Sequence, residues 1–319
     1  MRTLSILLLL AALLALPFAP GTAQEAAWPA KTHYRHETVD GHRIFYREAG
    51  DQSRPIILLL HGFPSSSHEY RELIPLLSGH FHVIAPDNLG SGYSDRPDPD
   101  QIAYTFDLLA DHLNGFIAAR GIKEYVLYMQ DFGAPVGYRA MLKAPDGVRA
   151  LIIQNANAYM DGLTEVRRKF FRDAHDDRSP QGIARLYDFV SRQSIVGNQY
   201  LRDVKGKEDI VSPDGWTHDL AFLQSDKDRK IQVQLFQDYY NNLLAYPQWQ
   251  AFLAKRQLPT LIVWGKNDPA FIAAGAEAYL RDLPQAQLHL LDAGHFAVEE
   301  KPVEIAQYIV AFMHKLNGR

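Results

Sequence analysis

Apolar positions along this chain follow two alternating patterns, and the alternation predicts an architecture. Short unbroken apolar runs, Ile56-Ile57-Leu58-Leu59-Leu60 being the clearest, read as strands buried on both faces. Phe81 to Ala85, Tyr125 to Tyr128, Ala150 to Ile153, Thr260 to Trp264 and Leu288 to Leu291 have the same character. Between them apolar residues recur at helical spacing, at Phe106, Leu109, Leu113, Phe116 and Ile117, and again at Ile305, Ile309, Phe312 and Met313. Near the start, Thr32 to Val39 and Arg43 to Glu48 flank Asp40-Gly41, a hairpin dipeptide. This βα rhythm predicts an α/β fold with a doubly wound, mostly parallel sheet, whose functional loops lie beyond the carboxyl ends of its strands.

The rhythm breaks from about Asn157 to Gln257. Ser179-Pro180 and Ser212-Pro213 are helix starts, with Ser as cap and Pro in the first turn. Ile183, Leu186, Tyr187 and Val190 fit one amphipathic helix; Val233, Phe236, Tyr240 and Leu243 fit another. The expected organisation is a core over residues 24–157 and 258–319, interrupted by a helical cap over 158–257.

The first residues follow neither pattern. Met1-Arg2-Thr3, the apolar run Leu4 to Phe18 and Gly21-Thr22-Ala23 have the layout of an export signal cleaved after Ala23, the alternative being an uncleaved anchor. The expected destination is the periplasm or the medium. Elsewhere the chain is ordinary: 319 residues, 47% hydrophobic, 22% charged, net charge −4. That charge leaves no basic footprint for nucleic acid. Zero cysteine excludes disulfides, thiolate metal sites and a Cys nucleophile. His33, His36 and His42 lie on a hairpin without accompanying carboxylates and are read as exposed, so no metal is expected. Gly90-Ser91-Gly92 lacks a dinucleotide or Walker context and reads as a turn. The expected partner is a small apolar molecule, with no cofactor and no membrane contact once the signal is removed; the chain itself is a monomer or homodimer.

Candidate chemistry sits at strand ends. His61-Gly62-Phe63-Pro64 follows the buried strand, and Gly lets the backbone turn there. Tyr128-Met129-Gln130-Asp131-Phe132-Gly133 joins a strand to a helix, a layout that exposes one side chain at the tip, here Asp131. Asp268 follows the strand ending near Trp264, and His295 follows the next one. A carboxylate on one loop and a histidine on another make an orienter and a base, so the order Asp131, Asp268, His295 reads as nucleophile, acid, base. Asn155 and Asn157, on the loop after Ile153, cannot supply a negative charge, which leaves Asp268 as the acid.

These segments resemble the α/β-hydrolase fold family, and within it the branch with an Asp nucleophile, the epoxide hydrolases and haloalkane dehalogenases. The matching motifs are His61-Gly62-Phe63-Pro64, Ala85-Pro86-Asp87 through Gly90-Ser91-Gly92-Tyr93-Ser94, Asp131-Phe132-Gly133-Ala134-Pro135 and Gly294-His295-Phe296. Two residues depart from the family pattern: Met129 is bulky where small residues are usual, and Phe132 stands where a Trp is usual. The resemblance implies an alkyl ester on Asp131, hydrolysed by water that His295 activates, with the oxyanion held by the backbone N–H groups of Phe63 and Phe132. It also implies that cap groups hold the leaving atom.

Phe63 and Phe132 lack the side-chain N–H donors with which dehalogenases hold a halide, which favours an epoxide substrate. Cap tyrosines would then hold the epoxide oxygen. Asp238-Tyr239-Tyr240-Asn241-Asn242 resembles one such motif, with Tyr240 the expected donor and Tyr239 turned elsewhere; Tyr159, Tyr187 or His175 is the second. The alternatives are a haloalkane or haloacid dehalogenase with Trp216 and Trp249 as donors, and a non-catalytic ligand-binding protein.

Overall fold

The computed structural model describes residues 29–317. The proposed signal, residues 1–23, lies outside them. Eight strands form one sheet: β1 (His33–Val39), β2 (His42–Ala49), β3 (Ile56–Leu60), β4 (His82–Pro86), β5 (Tyr125–Gln130), β6 (Val148–Gln154), β7 (Thr260–Gly265) and β8 (Gln287–Leu291). Their order is β1-β2-β4-β3-β5-β6-β7-β8. Only β2 runs against the rest, pairing antiparallel with both β1 and β4. The fold class expected from the βα rhythm is the one observed. The chain reverses between β1 and β2 through Asp40 and Gly41, both at positive φ (49° and 81°), as a two-residue hairpin turn requires.

Both faces of the sheet are covered, which is why its central strands are apolar throughout. Ile57, Leu59, Val126, Tyr128, Ile152 and Val263 point to one face, where α1 (Leu73–Ser78) lies and where Ile305, Ile309 and Phe312 of the C-terminal helix pack. Leu58, Leu60, Leu127, Met129, Leu151 and Ile153 point to the other, against α2 (Phe106–Ala119) and α3 (Gly133–Lys143). Met129, the bulky departure in the elbow, fits because position 137 is Gly: a Cβ there would stand 2.5 Å from the Met129 sulfur.

Between β6 and β7 the chain is helical. Here α4 (Glu165–Asp176), α5 (Pro180–Phe189), α6 (Pro213–Ala221), α7 (Asp226–Asp238) and α8 (Tyr240–Arg256) follow one another, with a π-helical turn over Ile195–Tyr200. Ser179 and Ser212 cap α5 and α6 through their hydroxyls, with Pro in the first turn of each. The pattern predicted one helix through Val233, Phe236, Tyr240 and Leu243, but the helix tightens at Tyr239. Tyr239 N–H donates to Phe236 O and Asn242 N–H to Tyr239 O, both three-residue spans. Three residues per turn superimpose positions i and i+3, so Tyr239 takes the face of Phe236 that the regular period assigned to Tyr240.

The loops after β7 and β8, which carry Asp268 and His295, are held together by backbone contact. Lys266 N–H donates to Leu291 O and Asn267 N–H to Ala293 O. A Cβ at Gly265 would fall 1.9 Å from Gly294 O, a backbone atom that cannot move aside. Gly265→Ala is therefore expected to lower stability by about 1–3 kcal/mol or more through overpacking. Gly79→Ala, at negative φ with nothing within 4 Å, is expected to change it by less than about 0.5 kcal/mol. Urea unfolding midpoints of the two variants check the contrast.

Candidate active site

The site is built where β3, β5, β6, β7 and β8 end side by side. After β5 the chain turns into α3 through Asp131, whose φ is +44°. A non-glycine residue in this region is strained, and the turn holds its side chain clear of both strand and helix. The loop after β3 leaves room for it because position 62 is Gly: a Cβ there would lie 2.4 Å from the Asp131 Cβ. Phe63 follows, joined to Pro64 by a cis peptide bond, and its N–H donates to Asp131 Oδ1 at 2.8 Å. The Phe132 N–H supports the same carboxylate.

His295 stands across from this carboxylate. Its Nδ1 is 2.7 Å from Asp268 Oδ2, and its Nε2 is 3.7 Å from Asp131 Oδ2. A carboxylate against Nδ1 fixes the proton there and leaves Nε2 as the basic atom facing Asp131. Asp268 is well supplied with donors. Oδ2 also accepts from Asn155 Nδ2 at 2.9 Å, and Oδ1 accepts from the N–H groups of Ala270 and Phe271 at 2.7 and 3.1 Å. Asn155 ties the arrangement to the sheet, accepting from Gly265 N–H through Oδ1 at 2.9 Å. Sequence reasoning passed over Asn155 because it carries no charge; its value lies in its donors.

The three groups are all buried, yet their acidities differ. Burial raises the pKa of Asp131, against the charge of His295 and the two backbone N–H donors, and leaves it above the ordinary carboxylate value. Burial also acts on Asp268, but the charge and hydrogen bond of His295, with Asn155 and the Phe271 N–H, bring it below the ordinary value. Burial lowers the pKa of His295, while the charge and hydrogen bond of Asp268 and the charge of Asp131 more than offset this, so it ends above 6.5.

A narrow pocket opens beside Asp131 and His295. Phe63, Phe132, Phe171, Phe189, Phe236 and Phe271 make its walls, and Arg167 of α4 and Gln199 of the π-helical turn add polar groups from the cap. Neither polar residue was singled out from sequence. Arg167 sits among Arg168, Lys169 and Arg172 with nothing to set it apart, and Gln199 depends on a π turn that no periodicity announces.

The cap tyrosines require correction. Tyr240 is half-buried and faces His175 (5.6 Å between ring centroids), away from the pocket, because the tight turn at Tyr239 changed the phase of the helix. Tyr239 is the tyrosine beside the site, stacked on Phe171 at 3.9 Å and 5.5 Å from the Phe132 ring. Burial, then Tyr246 and the Asp131 charge, raise its pKa well above 10. Tyr159 donates to Asp282 Oδ2 at 2.7 Å, Tyr187 lies beneath the Arg229 guanidinium, and His175 pairs with Asp176. Trp216 packs against Tyr200 and Trp249 against Tyr138. None of Tyr159, Tyr187, His175, Trp216 and Trp249 lines the pocket.

The cap also reaches the base. Asp203 Oδ2 accepts from the His295 N–H at 3.0 Å, and Arg202 spans Asp203 and Asp268 Oδ1 (3.8 Å to the latter). The loop carrying the histidine is thus fixed from the cap side as well as from the sheet.

A carboxylate at a strand-to-helix elbow, a histidine and acid after later strands, and a helical segment between β6 and β7 define a class. The family model for the alpha/beta hydrolase fold matches residues 55–302, and the chain belongs to that family. An uncharacterised hydrolase of Saccharomyces cerevisiae is 38% identical over 282 residues, covering 87% of this chain and 96% of that protein. Epoxide hydrolase 3 of Mus musculus is 25% identical over 302 residues, 87% of this chain and 76% of its own length. The crystal structure of haloalkane dehalogenase DbeA from Bradyrhizobium elkani superposes with a TM-score of 0.75 at 24% identity, covering 90% of this chain and 99% of that one, and it supports the fold. The resemblance to the epoxide hydrolase and dehalogenase branch holds.

Removing the Asp268 charge leaves burial to dominate at His295. In Asp268→Asn the imidazole titration, followed by ring-proton NMR, is expected to move from above 6.5 to below its wild-type position. An unmoved titration would show that Asp268 does not set the base.

Proposed function

We propose that this chain hydrolyses small, largely apolar substrates at an electrophilic saturated carbon through an alkyl ester on Asp131. Epoxide opening to a vicinal diol is the first reading. The observation that carries the proposal is the pose of the Asp131 carboxylate. Oδ1 sits on the Phe63 N–H, while Oδ2 faces His295. Oδ2 attacks carbon without first losing a proton, since a carboxylate is already ionised near neutral pH. Oδ1 then becomes the ester carbonyl oxygen, still on the Phe63 N–H, with the Phe132 N–H as the carboxylate's second backbone donor. When water adds to that carbonyl carbon, the oxyanion develops at an atom whose donors are in place. His295 Nε2 takes the proton from the water, and Asp268 stabilises the imidazolium. Collapse releases the alcohol and restores the carboxylate.

Phe63 and Phe132 in place of side-chain halide donors and the likeness to the mouse epoxide hydrolase support the epoxide reading. A haloalkane is the second reading, because the cap groups that line the pocket, Arg167 and Gln199, offer N–H rather than O–H donors. The leader over residues 1–23 makes export to the periplasm or medium part of the proposal.

His295→Gln is expected to stall after the first step. Intact-mass analysis should find the protein carrying one substrate mass, and peptide mapping should place it on Asp131. No adduct with any epoxide or haloalkane would overturn the ester mechanism. Diol formation against halide release separates the two readings.

Both half-reactions use deprotonated groups, so each gains as pH rises. Alkylation should increase through an inflexion above 3.8, reporting Asp131, and ester hydrolysis through the titration of His295, at a lower pH than in the resting site because the Asp131 charge that helps raise it there is gone. Single-turnover rates against pH check this; ester hydrolysis that falls with rising pH through that range would exclude His295 as base.

A further inference from the structure

Arg167 is a cation in the reacting pocket without an anion of its own. Its guanidinium carbon stands 5.7 and 5.9 Å from the ring centroids of Phe170 and Phe171. Among the described residues no carboxylate lies within 4.0 Å of it, and its side chain makes no hydrogen bond. Gln199, 6% exposed, lines the same pocket, and its amide likewise has no partner among the described residues. A charge on apolar walls is costly unless an opposite charge joins it. In the resting site Asp268 and, after it, Asp131 supply that charge at a distance.

The first chemical step removes the Asp131 share of this balance. As Asp131 becomes a neutral ester, its negative charge passes to the atom leaving carbon. In-line displacement puts that atom on the side of the carbon away from Asp131, toward the cap, where α4 and the π-helical turn bring Arg167 and Gln199. We propose that Arg167, with Gln199 as second N–H donor, holds the leaving atom as it acquires charge. The inference rests on the ester mechanism above and gives that site its leaving-group anchor. The bond from Asp131 Oδ2 to carbon forms as the carbon–X bond breaks, and the electron pair of that bond goes to X. A halide departs as the free ion. An epoxide oxygen stays tethered as an alkoxide and takes a proton from water, which ester hydrolysis later returns to solvent. The guanidinium keeps its protons throughout.

The test uses the full chain in the His295→Gln background, where alkylation is read alone by intact mass, with 1-iodo-, 1-bromo- and 1-chlorobutane and 1,2-epoxyhexane. Adding Arg167→Met, similar in length and uncharged, is expected to slow alkylation about 10²–10³-fold, the loss of one preorganised donor to a developing anion. The loss should grow from iodide to chloride, and Arg167→Lys should restore part of the rate. In the protein with His295 intact, Arg167→Met should weaken inhibition by added bromide at least tenfold. Slowing with haloalkanes alone identifies a halide as the ion held; slowing with the epoxide alone identifies an alkoxide. Alkylation equally fast with Met at 167 for every substrate, with the ratio among halides unchanged, overturns the role of Arg167 and leaves the ester standing. No adduct when Arg167 is intact overturns the ester mechanism and this inference with it. If the Met variant is unfolded by circular dichroism, the Arg167→Lys variant carries the test: a rate and bromide affinity identical to the parent would be expected only of a charge that acts at a distance and would overturn a directed contact.

Discussion

The carboxylate of Asp131 governs this structure because it is buried and short of partners. Asp268, a few ångströms away beyond His295, has the imidazole, Asn155 and two backbone N–H groups on its two oxygens. Asp131 has two backbone N–H donors, Phe63 on Oδ1 and Phe132, and a histidine 3.7 Å from Oδ2. The saturated carboxylate is a fixed support; the unsaturated one retains an oxygen with lone pairs directed into an apolar pocket. Identical side chains differ in acidity through burial, the His295 charge and the number of their donors. Everything around the site preserves that difference, from the positive φ of Asp131 to the clearance given by Gly62.

That difference also explains why five strand ends must meet within a narrow tolerance. The Phe63 donor comes after β3, the nucleophile after β5, Asn155 after β6, Asp268 after β7 and His295 after β8. A parallel sheet with consecutive neighbours β3, β5, β6, β7 and β8 places all five loops on one edge. Direct backbone bonding between the last two loops then removes the freedom that would let the acid and base drift apart. The apolar interior of the sheet keeps its strands in register; the functional edge follows from it.

Much of this was legible in the sequence because it depends on local patterns. Unbroken apolar runs announce strands buried on both sides, and Asp131, Asp268 and His295 each stand a fixed few residues beyond one. The cap resisted reading for a physical reason. Its helices pack through irregular turns, and one hydrogen-bond span of three residues at Tyr239 is enough to exchange which of two adjacent tyrosines packs against Phe132. The π turn that brings Gln199 to the pocket is equally invisible to a period of 3.6. Arg167 is hidden differently: its significance lies in the anions that are missing around it, and absence of a partner is a property of three-dimensional neighbours. Asn155 escaped because charge was taken as the criterion for an acid's place, whereas hydrogen-bond donation holds the acid itself.

The cap therefore does more than cover the pocket. Asp203 holds the His295 backbone and Arg202 reaches toward Asp268, while Arg167 and Gln199 enter from the same segment on the substrate side. One insertion thus touches both the base and the space where a leaving atom departs. A displacement of the cap that opened the pocket would carry with it a hydrogen bond to the catalytic loop. On the proposed mechanism, substrate entry and the alignment of His295 are linked through a few polar contacts, while Asp131 is held by the backbone N–H groups of Phe63 and Phe132 at the sheet edge. That mechanism then assigns constancy to the group proposed to form the covalent bond and responsiveness to the groups proposed to act once substrate is enclosed.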